Sequence, residues 1–191
     1  MKKNLIISVL MTIATTVLLG IIYPLVITAA AQLTMKDKAN GQLIEQNGKL
    51  IGSRIIGQPF VGAGYFHSRP SAAGNGYDPT ASSASNLGPT NQKLIDRVKG
   101  DTATNQADNP GKPVPIDLVT TSGSGLDPHI SPAAADYQVP RIAKARGMSE
   151  DNVRRLIAQR TEGRQWGFLG EPRVNVLELN LELDTQAHKP H

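Results

Sequence analysis

Hydrophobic residues are distributed unevenly along this chain. Residues 4–35 contain no charged side chain, whereas the rest of the sequence mixes polar and apolar positions throughout. About 20 mostly apolar helical residues are enough to cross the core of a bilayer, and Leu5 to Leu25 supplies that length. The pattern predicts an N-terminal membrane anchor, residues 1–35, with a single transmembrane helix over about residues 5–27.

The charges that flank this run predict its orientation. Lys2 and Lys3 precede it, and positive charges next to a membrane span tend to remain in the cytoplasm. Lys36 and Lys38 follow the run and weaken the bias, although long downstream domains cross the membrane largely regardless of charge. We therefore expect a cytoplasmic N-terminus and a C-terminal domain on the outer side.

A cleaved signal peptide is the alternative interpretation of the same segment. The small residues of Thr28-Ala29-Ala30-Ala31 resemble a processing site, and cleavage there would release a secreted enzyme or envelope-binding domain that begins near Gln32. The apolar core of a signal peptide is typically about 7 to 15 residues long, whereas this run continues to Ile27 and beyond. The length favours an anchor that is retained.

Small or hydroxyl-bearing residues recur every four positions within the predicted span. They are Ser8, Thr12, Thr16, Gly20 and Pro24. Helices in lipid associate through close packing and hydrogen bonding at such residues, so the stripe predicts packing against other membrane helices. Such residues are also common in ordinary spans, which is the alternative. Because proline lacks an N–H and crowds the preceding turn, Pro24 predicts a kink or fraying in the last turns.

Residues 36–191 are numerous enough to form one domain with a core of its own. Of the 20 lysines and arginines in the chain, two precede the apolar run, which leaves 18 against 16 aspartates and glutamates. That balance, with only one Trp, four Tyr and three Phe, gives no indication of nucleic-acid binding. Cysteine is absent, so disulfides and thiolate chemistry are excluded.

The first half of this domain is predicted to be rich in turns. Asn47-Gly48 separates two short apolar segments and suits a two-residue hairpin turn. Residues 67–89 are dominated by Gly, Pro, Ser, Ala and Asn and predict a long irregular segment. Aromatic or apolar side chains in and beside that segment are expected to attach it to the core: Tyr65, Phe66, Tyr77 and Leu87.

The middle of the domain predicts one short helix and one strand. Thr90 is expected to cap a helix that runs to Val98 and ends near Gly100. Residues 102–112 then form a polar connection, and residues 116–120 form a buried strand.

Two further helices and a final strand complete the prediction. Ser131-Pro132 is a favourable cap and first-turn pair for a helix that Pro140 breaks and Gly147 ends. Ser149 begins the next helix, whose buried face is formed by Val153, Leu156 and Ile157. Leucines alternate with polar residues over 177–183, which predicts a half-buried strand with a bulge near residues 176–177. The fold class expected is α+β: one N-terminal transmembrane helix followed by a single small extracytoplasmic domain, with no internal repeats.

Catalytic motifs are largely missing from the sequence. The glycine-containing segments lack the flanking residues of a phosphate-binding loop, a dinucleotide fingerprint or a nucleophile elbow. Asp127 and His129 are a candidate acid-base or ligand pair, but zinc sites need three or four ligands, and a turn set by Asp127-Pro128 is the favoured interpretation. His188 and His191 belong to an expected frayed tail.

Arginines provide the other candidate sites. Arg69, Arg141, Arg164 and Arg173 are each able to bind an anion, but a salt bridge or a solvated position is favoured for any one of them. For the glycine-rich turn at residues 122–125, a structural role of the backbone is favoured over anion binding.

Several longer strings of the sequence resemble the C subunit of the bacterial Kdp potassium-transporting ATPase. The resemblance covers nearly the whole chain, and the membrane segment and the final leucine-rich element fit in order. Ser82-Ser83-Ala84 departs from the family pattern, which is richer in glycine there. The strings that carry the resemblance are Gly64-Tyr65-Phe66-His67-Ser68-Arg69-Pro70-Ser71-Ala72, Ser85-Asn86-Leu87-Gly88-Pro89-Thr90-Asn91, residues 117–132 from Asp117 to Pro132, Gln138-Val139-Pro140-Arg141 and residues 167–176 from Gly167 to Val176.

Within these strings, twelve positions are carried over as family-motif residues of unassigned role. They are Arg69, Pro70, Asn86, Gly88, Gly123, Gly125, Asp127, His129, Arg141, Gly170, Glu171 and Arg173.

The resemblance implies a non-catalytic subunit of a four-part complex in the bacterial inner membrane. Its partners are expected to be a channel-like potassium-translocating subunit, a P-type ATPase subunit and a small membrane peptide, and potassium is the transported ion. The chain lacks the Asp-Lys-Thr-Gly-Thr phosphorylation sequence, so we expect no ATP hydrolysis by this subunit alone. The outer domain is expected to lie over the channel-like subunit.

The resemblance also implies a catalytic chaperone that raises the affinity of the ATPase subunit for ATP, and direct ATP binding in a transient complex is one route that the resemblance implies. The predicted topology leaves only the residues before Leu5 in the cytoplasm, too few to form a nucleotide pocket. We therefore expect no cofactor of its own, and we expect any effect on ATP to act through the ATPase subunit by coupling between membrane helices.

Overall fold

The apolar N-terminus forms one continuous helical segment in the computed structural model, which describes residues 1–187. Helix α1 (Lys2–Thr15) continues through a π-helical segment (Thr16–Ile22) into α2 (Tyr23–Thr34). The resulting 33-residue helix is long and apolar enough to cross a membrane. Its most apolar 18-residue stretch is not buried by other parts of the chain. The predicted span is therefore helical throughout.

Pro24 does not fray this helix, because α2 continues to Thr34. The fraying that the sequence analysis offered as one outcome is therefore wrong, and the kink stays a prediction. The wider π turns lie directly before the proline, where the N–H of Tyr23 donates to the carbonyl of Leu18, five residues back. Proline cannot donate to the carbonyl four residues before it and crowds that carbonyl. A wider turn relieves both problems without ending the helix.

The chain divides into two compact units, Met1–Ile44 and the remainder from Glu45 onwards. After α2 comes the short helix α3 (Lys36–Ala39). It is followed by the predicted hairpin, formed by β1 (Leu43–Gln46) and β2 (Lys49–Ser53). Asn47 and Gly48 connect the strands with φ angles of 54° and 74°, as a two-residue turn of this kind requires.

The long irregular segment is also confirmed, since residues 67–89 contain neither helix nor strand. Phe66, at its start, is completely buried in the core, while Tyr65, Tyr77 and Leu87 are half-buried.

Helix α4 (Gln92–Asp108) is much longer than the sequence predicted. Asn91, not Thr90, caps it by accepting from the N–H of Lys93 at 2.9 Å. The expected polar connection over 102–112 is largely helical, and Gly100 lies inside the helix. Contacts with the next helix account for the extension, because the Tyr137 hydroxyl donates to the carbonyl of Asn105 at 3.0 Å.

The predicted strand over 116–120 is wrong. Residues Ile116–Leu118 form a 3₁₀ turn in which Leu118 is buried and Ile116 is exposed. The carboxylate of Asp117 accepts from the N–H of Ser131 at 2.6 Å, which fixes this turn against the start of the following helix.

Helices α5 (Pro132–Arg146) and α6 (Glu150–Arg160) form the centre of the domain. The hydroxyls of Ser131 and Ser149 cap them as predicted, and Gly147 ends α5 in the left-handed conformation at φ 64°. Pro140 does not break α5, contrary to the prediction. An internal proline costs about 3 kcal/mol, and the many residues that α5 buries on both sides of Pro140 offset this cost.

A small antiparallel sheet packs beside these helices in the strand order β3, β5, β4. Its strands are β3 (His129–Ile130), β4 (Thr161–Glu162) and β5 (Arg173–Asn175). Val174 is the central residue, opposite Ile130 on one side and Thr161 on the other.

The final leucine-rich segment is the helix α7 (Val176–Ala187), so the predicted strand over 177–183 and its bulge are wrong. Asn175 ends β5 and accepts from the N–H of Glu178 at 3.1 Å, as a helix cap does. Leu179 and Leu183 then face the core on successive turns. His188 and His191 lie outside the described residues. Overall, the mixed helix and sheet confirm the α+β class.

The core joins the irregular segment, the central helices, β5 and α7. Its fully buried large side chains include Phe66, Ile130, Ile142, Val153, Val174, Leu179 and Leu183.

Candidate functional site

Two buried side-chain amides hold the start of the irregular segment. Asn180 on α7 accepts from the N–H of Phe66 at 2.8 Å and donates to its carbonyl at 3.0 Å. Gln138 on α5 does the same for His67, at 2.8 Å and 3.1 Å. Each amide replaces the partner that a neighbouring strand would supply. The sequence signals were a polar residue in each of two apolar helices, and the sequence analysis did not recognise their role.

Arg141 strengthens this attachment from the next turn of α5. Its guanidinium donates to the carbonyls of Ala63 and Tyr65 at 2.6 Å and 3.0 Å and to the Gln138 side chain at 2.7 Å. It also pairs with Asp108 at 3.2 Å. Burial lowers the pKa of Arg141 from its ordinary value, and the charge of Asp108 opposes that shift. Arg141 therefore joins residues 63–65 to α5 and α4 through hydrogen bonds and an ion pair.

Arg69 and Asp127 form a second attachment point, deeper in the irregular segment. The Arg69 guanidinium contacts Asp127 at 3.2 Å and donates to the carbonyls of Thr120 and Thr121 at 3.4 Å and 3.3 Å. Tyr77 closes the turn by donating its hydroxyl to the carbonyl of Arg69. The structure thus brings together two motif residues that are far apart in sequence, while Pro70 is half-buried beside them.

Both carboxylate oxygens of Asp127 are engaged. One meets Arg69, and the other accepts from the N–H of His129 at 3.0 Å and lies 3.5 Å from the His129 ring. Burial raises the pKa of Asp127, but the bonds from His129 and the charge of Arg69 outweigh burial, so the net pKa is below its ordinary value. Among residues 1–187, no group of three or more His, Asp or Glu side chains has a geometry that would hold a metal ion.

Gly125 is where the glycine-rich turn meets the irregular segment. Its φ is +68°, and a Cβ atom there would lie 2.6 Å from the carbonyl oxygen of Ser83 and 2.7 Å from the N–H of Ala73. The hydroxyl of Ser71 also donates to the carbonyl of Gly125 at 2.6 Å. This position requires glycine because of both its backbone angle and its neighbours.

The remaining motif residues are not gathered at this site. Gly123 is exposed, with open space where a Cβ would lie. Asn86 and Gly88 are exposed on the irregular segment, Asn86 with a left-handed φ of 51°. A separate hairpin between β4 and β5 contains the others: Gly170, Glu171 and Arg173.

That hairpin carries its own ion pairs. Glu171 accepts two bonds from the Arg164 guanidinium, at 2.6 Å and 2.8 Å. Arg173 pairs with Glu162 at 2.9 Å. Gly170 has a φ of +80°, which suits the end of the turn.

In the apolar helix, two hydroxyls of the small-residue stripe, those of Ser8 and Thr12, are bonded within the helix. Thr12 donates to the carbonyl of Ser8 at 2.8 Å, and Ser8 donates to that of Leu5 at 2.9 Å. Thr16 and Gly20 lie in the π-helical segment. A Cβ added at Gly20 would make only an ordinary contact, 3.9 Å from Thr16, so the helix itself does not require glycine there.

Arg69, Gly125, Asp127 and Arg141 form attachments within the domain, and their contacts show no arrangement of nucleophile, base or metal ligands. A groove of about 440 Å³ lies beside the first attachment point, lined in part by Phe60, Tyr65, Leu181 and Asp184. These contacts suit a domain of fixed shape.

Comparison with known proteins identifies the family of this chain. A family model described as the c chain of the K⁺-transporting ATPase matches residues 5–185. The chain is 68% identical to the potassium-transporting ATPase KdpC subunit of Koribacter versatilis, over all of this chain and 98% of that protein. It is 59% identical to the potassium-transporting ATPase KdpC subunit of Acidobacterium capsulatum, over 95% of this chain and 97% of that protein. It is 51% identical to the KdpC subunit of Rhodopseudomonas palustris, over 96% of this chain and 98% of that protein. The chain belongs to the KdpC family of potassium-transporting ATPase subunits.

Proposed function

We propose that this chain is a non-catalytic subunit of an ATP-driven potassium uptake complex, which it stabilises as an assembly. Residues 1–35 anchor it once in the bacterial inner membrane with the N-terminus in the cytoplasm, and residues 36–191 form an extracytoplasmic domain. Its partners are a channel-like potassium-translocating subunit, a P-type ATPase subunit and a small membrane peptide. It has no cofactor of its own.

The observation that carries this proposal is the apolar helix Lys2–Thr34, whose side chains are uncovered by the rest of the chain. Such a surface requires lipid or other helices around it. Ser8, Thr12, Thr16, Gly20 and Pro24 supply the small side chains through which membrane helices pack, and family membership supplies partners for that packing.

We further propose that the subunit promotes ATP use by the ATPase subunit through the membrane. With only the residues before Leu5 in the cytoplasm, the chain has no room for a nucleotide pocket on that side. A span that packs better against one conformational state of the pump shifts the population towards that state. If that state binds ATP more tightly, the apparent affinity for ATP rises without direct contact.

Purification from native membranes in mild detergent tests the assembly role. We expect an intact mass that includes Met1 and co-purification with the other complex subunits. A partner-free product that begins near Gln32 would contradict the proposal and favour a secreted enzyme or binding domain.

Nucleotide binding tests the second role. We expect the ATPase subunit to bind ATP more weakly when this chain is omitted, and this chain alone to bind none. Tight ATP binding by this chain alone would contradict coupling through the membrane.

A further inference from the structure

The hairpin between β4 and β5 presents a cluster of large apolar side chains to solvent. Trp166 is 84% exposed and Phe168 is 71% exposed, and Leu169 beside them is also exposed. The rings of Trp166 and Phe168 lie with their centroids 6.5 Å apart. These three residues are called the hairpin tip. Contiguous exposed apolar side chains are uncommon on proteins that act alone, and they mark surfaces that bind something.

The hairpin tip is held in a defined conformation. Gln165 and Leu169 exchange two backbone hydrogen bonds, each 2.9 Å long, and the N–H of Gly167 donates to the carbonyl of Arg164 at 3.1 Å. Trp166 itself has a left-handed φ of 52°. A fixed shape reduces the conformational entropy lost when the tip enters a protein pocket of matching shape. Insertion into fluid lipid requires no matching shape, so a fixed conformation favours it less.

Charges around the hairpin tip are neutralised within the domain. Within the hairpin, Arg164 pairs with Glu171 at 2.6 Å and Arg173 pairs with Glu162 at 2.9 Å. A loop that binds an anionic membrane surface uses basic side chains that are free to meet phosphates. An apolar centre inside a balanced polar rim is instead the pattern of a protein–protein contact.

We propose that the hairpin tip is a docking anchor, which inserts into an apolar pocket on another subunit of the potassium-transporting ATPase complex. The inference rests on the proposed role as a complex subunit and adds the surface and the chemistry of the contact. Trp is the residue type most enriched among the side chains that dominate binding energy in interfaces, and a fixed neighbouring Phe extends the area it buries.

Photocrosslinking in the intact complex tests this directly. A photoreactive phenylalanine derivative replaces Trp166 in one sample and Val61, which is 93% exposed and distant in sequence, in a control sample. We expect a covalent adduct between position 166 and another protein subunit, and little from position 61. An adduct with lipid alone, no adduct, or equally strong protein adducts from both positions would overturn the proposal.

Retention of the subunit provides a second readout. The double variant Trp166→Ser, Phe168→Ser is expected to bind the rest of the complex at least about tenfold more weakly, with its melting temperature unchanged because both side chains are exposed. Ile116→Ser, at another exposed apolar position, is the matched control. Unweakened binding by the double variant would contradict the inference. If the unaltered chain does not co-purify with the complex, the proposed function itself fails.

Discussion

The side-chain amide of Asn180 binds both backbone polar groups of Phe66, at 2.8 Å to the N–H and 3.0 Å to the carbonyl. Asn180 is 1% exposed, and the side chain of Phe66 is completely buried. A polar backbone that enters the core without a neighbouring strand must find its partners elsewhere. Here one asparagine supplies both, and this is why the non-helical, non-strand backbone at Phe66, just before the irregular segment, is able to contribute the largest fully buried side chain among the described residues.

Replacing that asparagine is therefore expected to be costly. Asn180→Ala leaves the N–H and carbonyl of Phe66 without partners, each at a cost of about 1–3 kcal/mol. We expect the free energy of unfolding to fall by roughly 2–5 kcal/mol, measured by denaturant titration of the full chain in detergent. Asn152→Ala, at an exposed position on α6, is the control and should change it by less than about 0.5 kcal/mol. Equal effects of the two substitutions would contradict the assigned role.

Two glycines of the same turn are expected to respond differently to alanine. Gly125→Ala places a Cβ within 2.7 Å of two backbone atoms at a φ of +68°, and we expect a loss of about 2–5 kcal/mol. Gly123→Ala meets open space and should be nearly neutral. Melting temperatures of the two variants provide the comparison. An unchanged melting temperature for Gly125→Ala would show that the irregular segment does not pack closely against this turn.

The stability of the domain is expected to decrease in mild acid, partly through His67. Burial, followed by the positive charge of Arg141, lowers the pKa of His67 from its ordinary value near 6.5. The unfolded chain therefore takes up this proton first, and stability falls as the pH drops below about 6.5. His67→Gln should reduce the fall in the free energy of unfolding between about pH 7 and pH 5, the range in which histidine ordinarily titrates. Denaturant titrations at several pH values in that range provide the measurement.

Asp127 provides the contrasting case in stronger acid. Its pKa is lowered in the folded state, so its ionised form contributes stability above its ordinary value near 3.8 that is lost as the pH falls further. Asp127→Asn should leave the slope between neutral pH and pH 5 unchanged while removing the loss at lower pH. The two variants separate the two groups. If His67→Gln leaves the dependence of the free energy of unfolding on pH between neutral pH and about pH 5 as steep as in the unaltered chain, the assignment of that dependence to His67 is wrong.

The small-residue stripe of the membrane helix predicts a position-specific effect on assembly. Gly20→Leu adds bulk on the side that carries Thr12 and Thr16, where we propose that other helices approach closely. We expect much less of this chain to co-purify with the complex. Ala14→Leu adds similar bulk on the opposite side of the helix and serves as the control. Similar yields for both variants would show that the stripe faces lipid.

Local sequence correctly predicted the elements that depend on neighbouring residues alone, namely the apolar helix, the hairpin turn and the starts of two helices. The charge-free N-terminal run predicted a membrane-length helix because every side of it is apolar. Asn47-Gly48 predicted the hairpin, because few other residue pairs adopt two left-handed positions in succession. Ser131 and Ser149 predicted where α5 and α6 begin, because their hydroxyls satisfy the free N–H groups of a first turn.

Tertiary contacts decided the elements for which local signals conflict. Leucines at every second position of 177–183 fit a half-buried strand, yet over so short a segment some of them also fall on one face of a helix. The cap from Asn175 and the packing of Leu179 and Leu183 select the helix. Packing likewise carries α4 through Gly100 and α5 through Pro140, each of which was expected to end or break a helix.

The sequence by itself determined the membrane-length helix, the hairpin at Asn47-Gly48 and the family, because apolar length, turn chemistry and long shared strings are all local properties. The three-stranded sheet was not predicted, since its strands are only two or three residues long and form through contacts with distant parts of the chain. Only the tertiary structure decided what the motif residues contact. Arg69 meets Asp127, and Asn180 meets Phe66, across 58 and 114 positions of the chain. Such pairs are fixed by the closing of the core around a polar backbone, and no short-range pattern records which distant side chain will satisfy it.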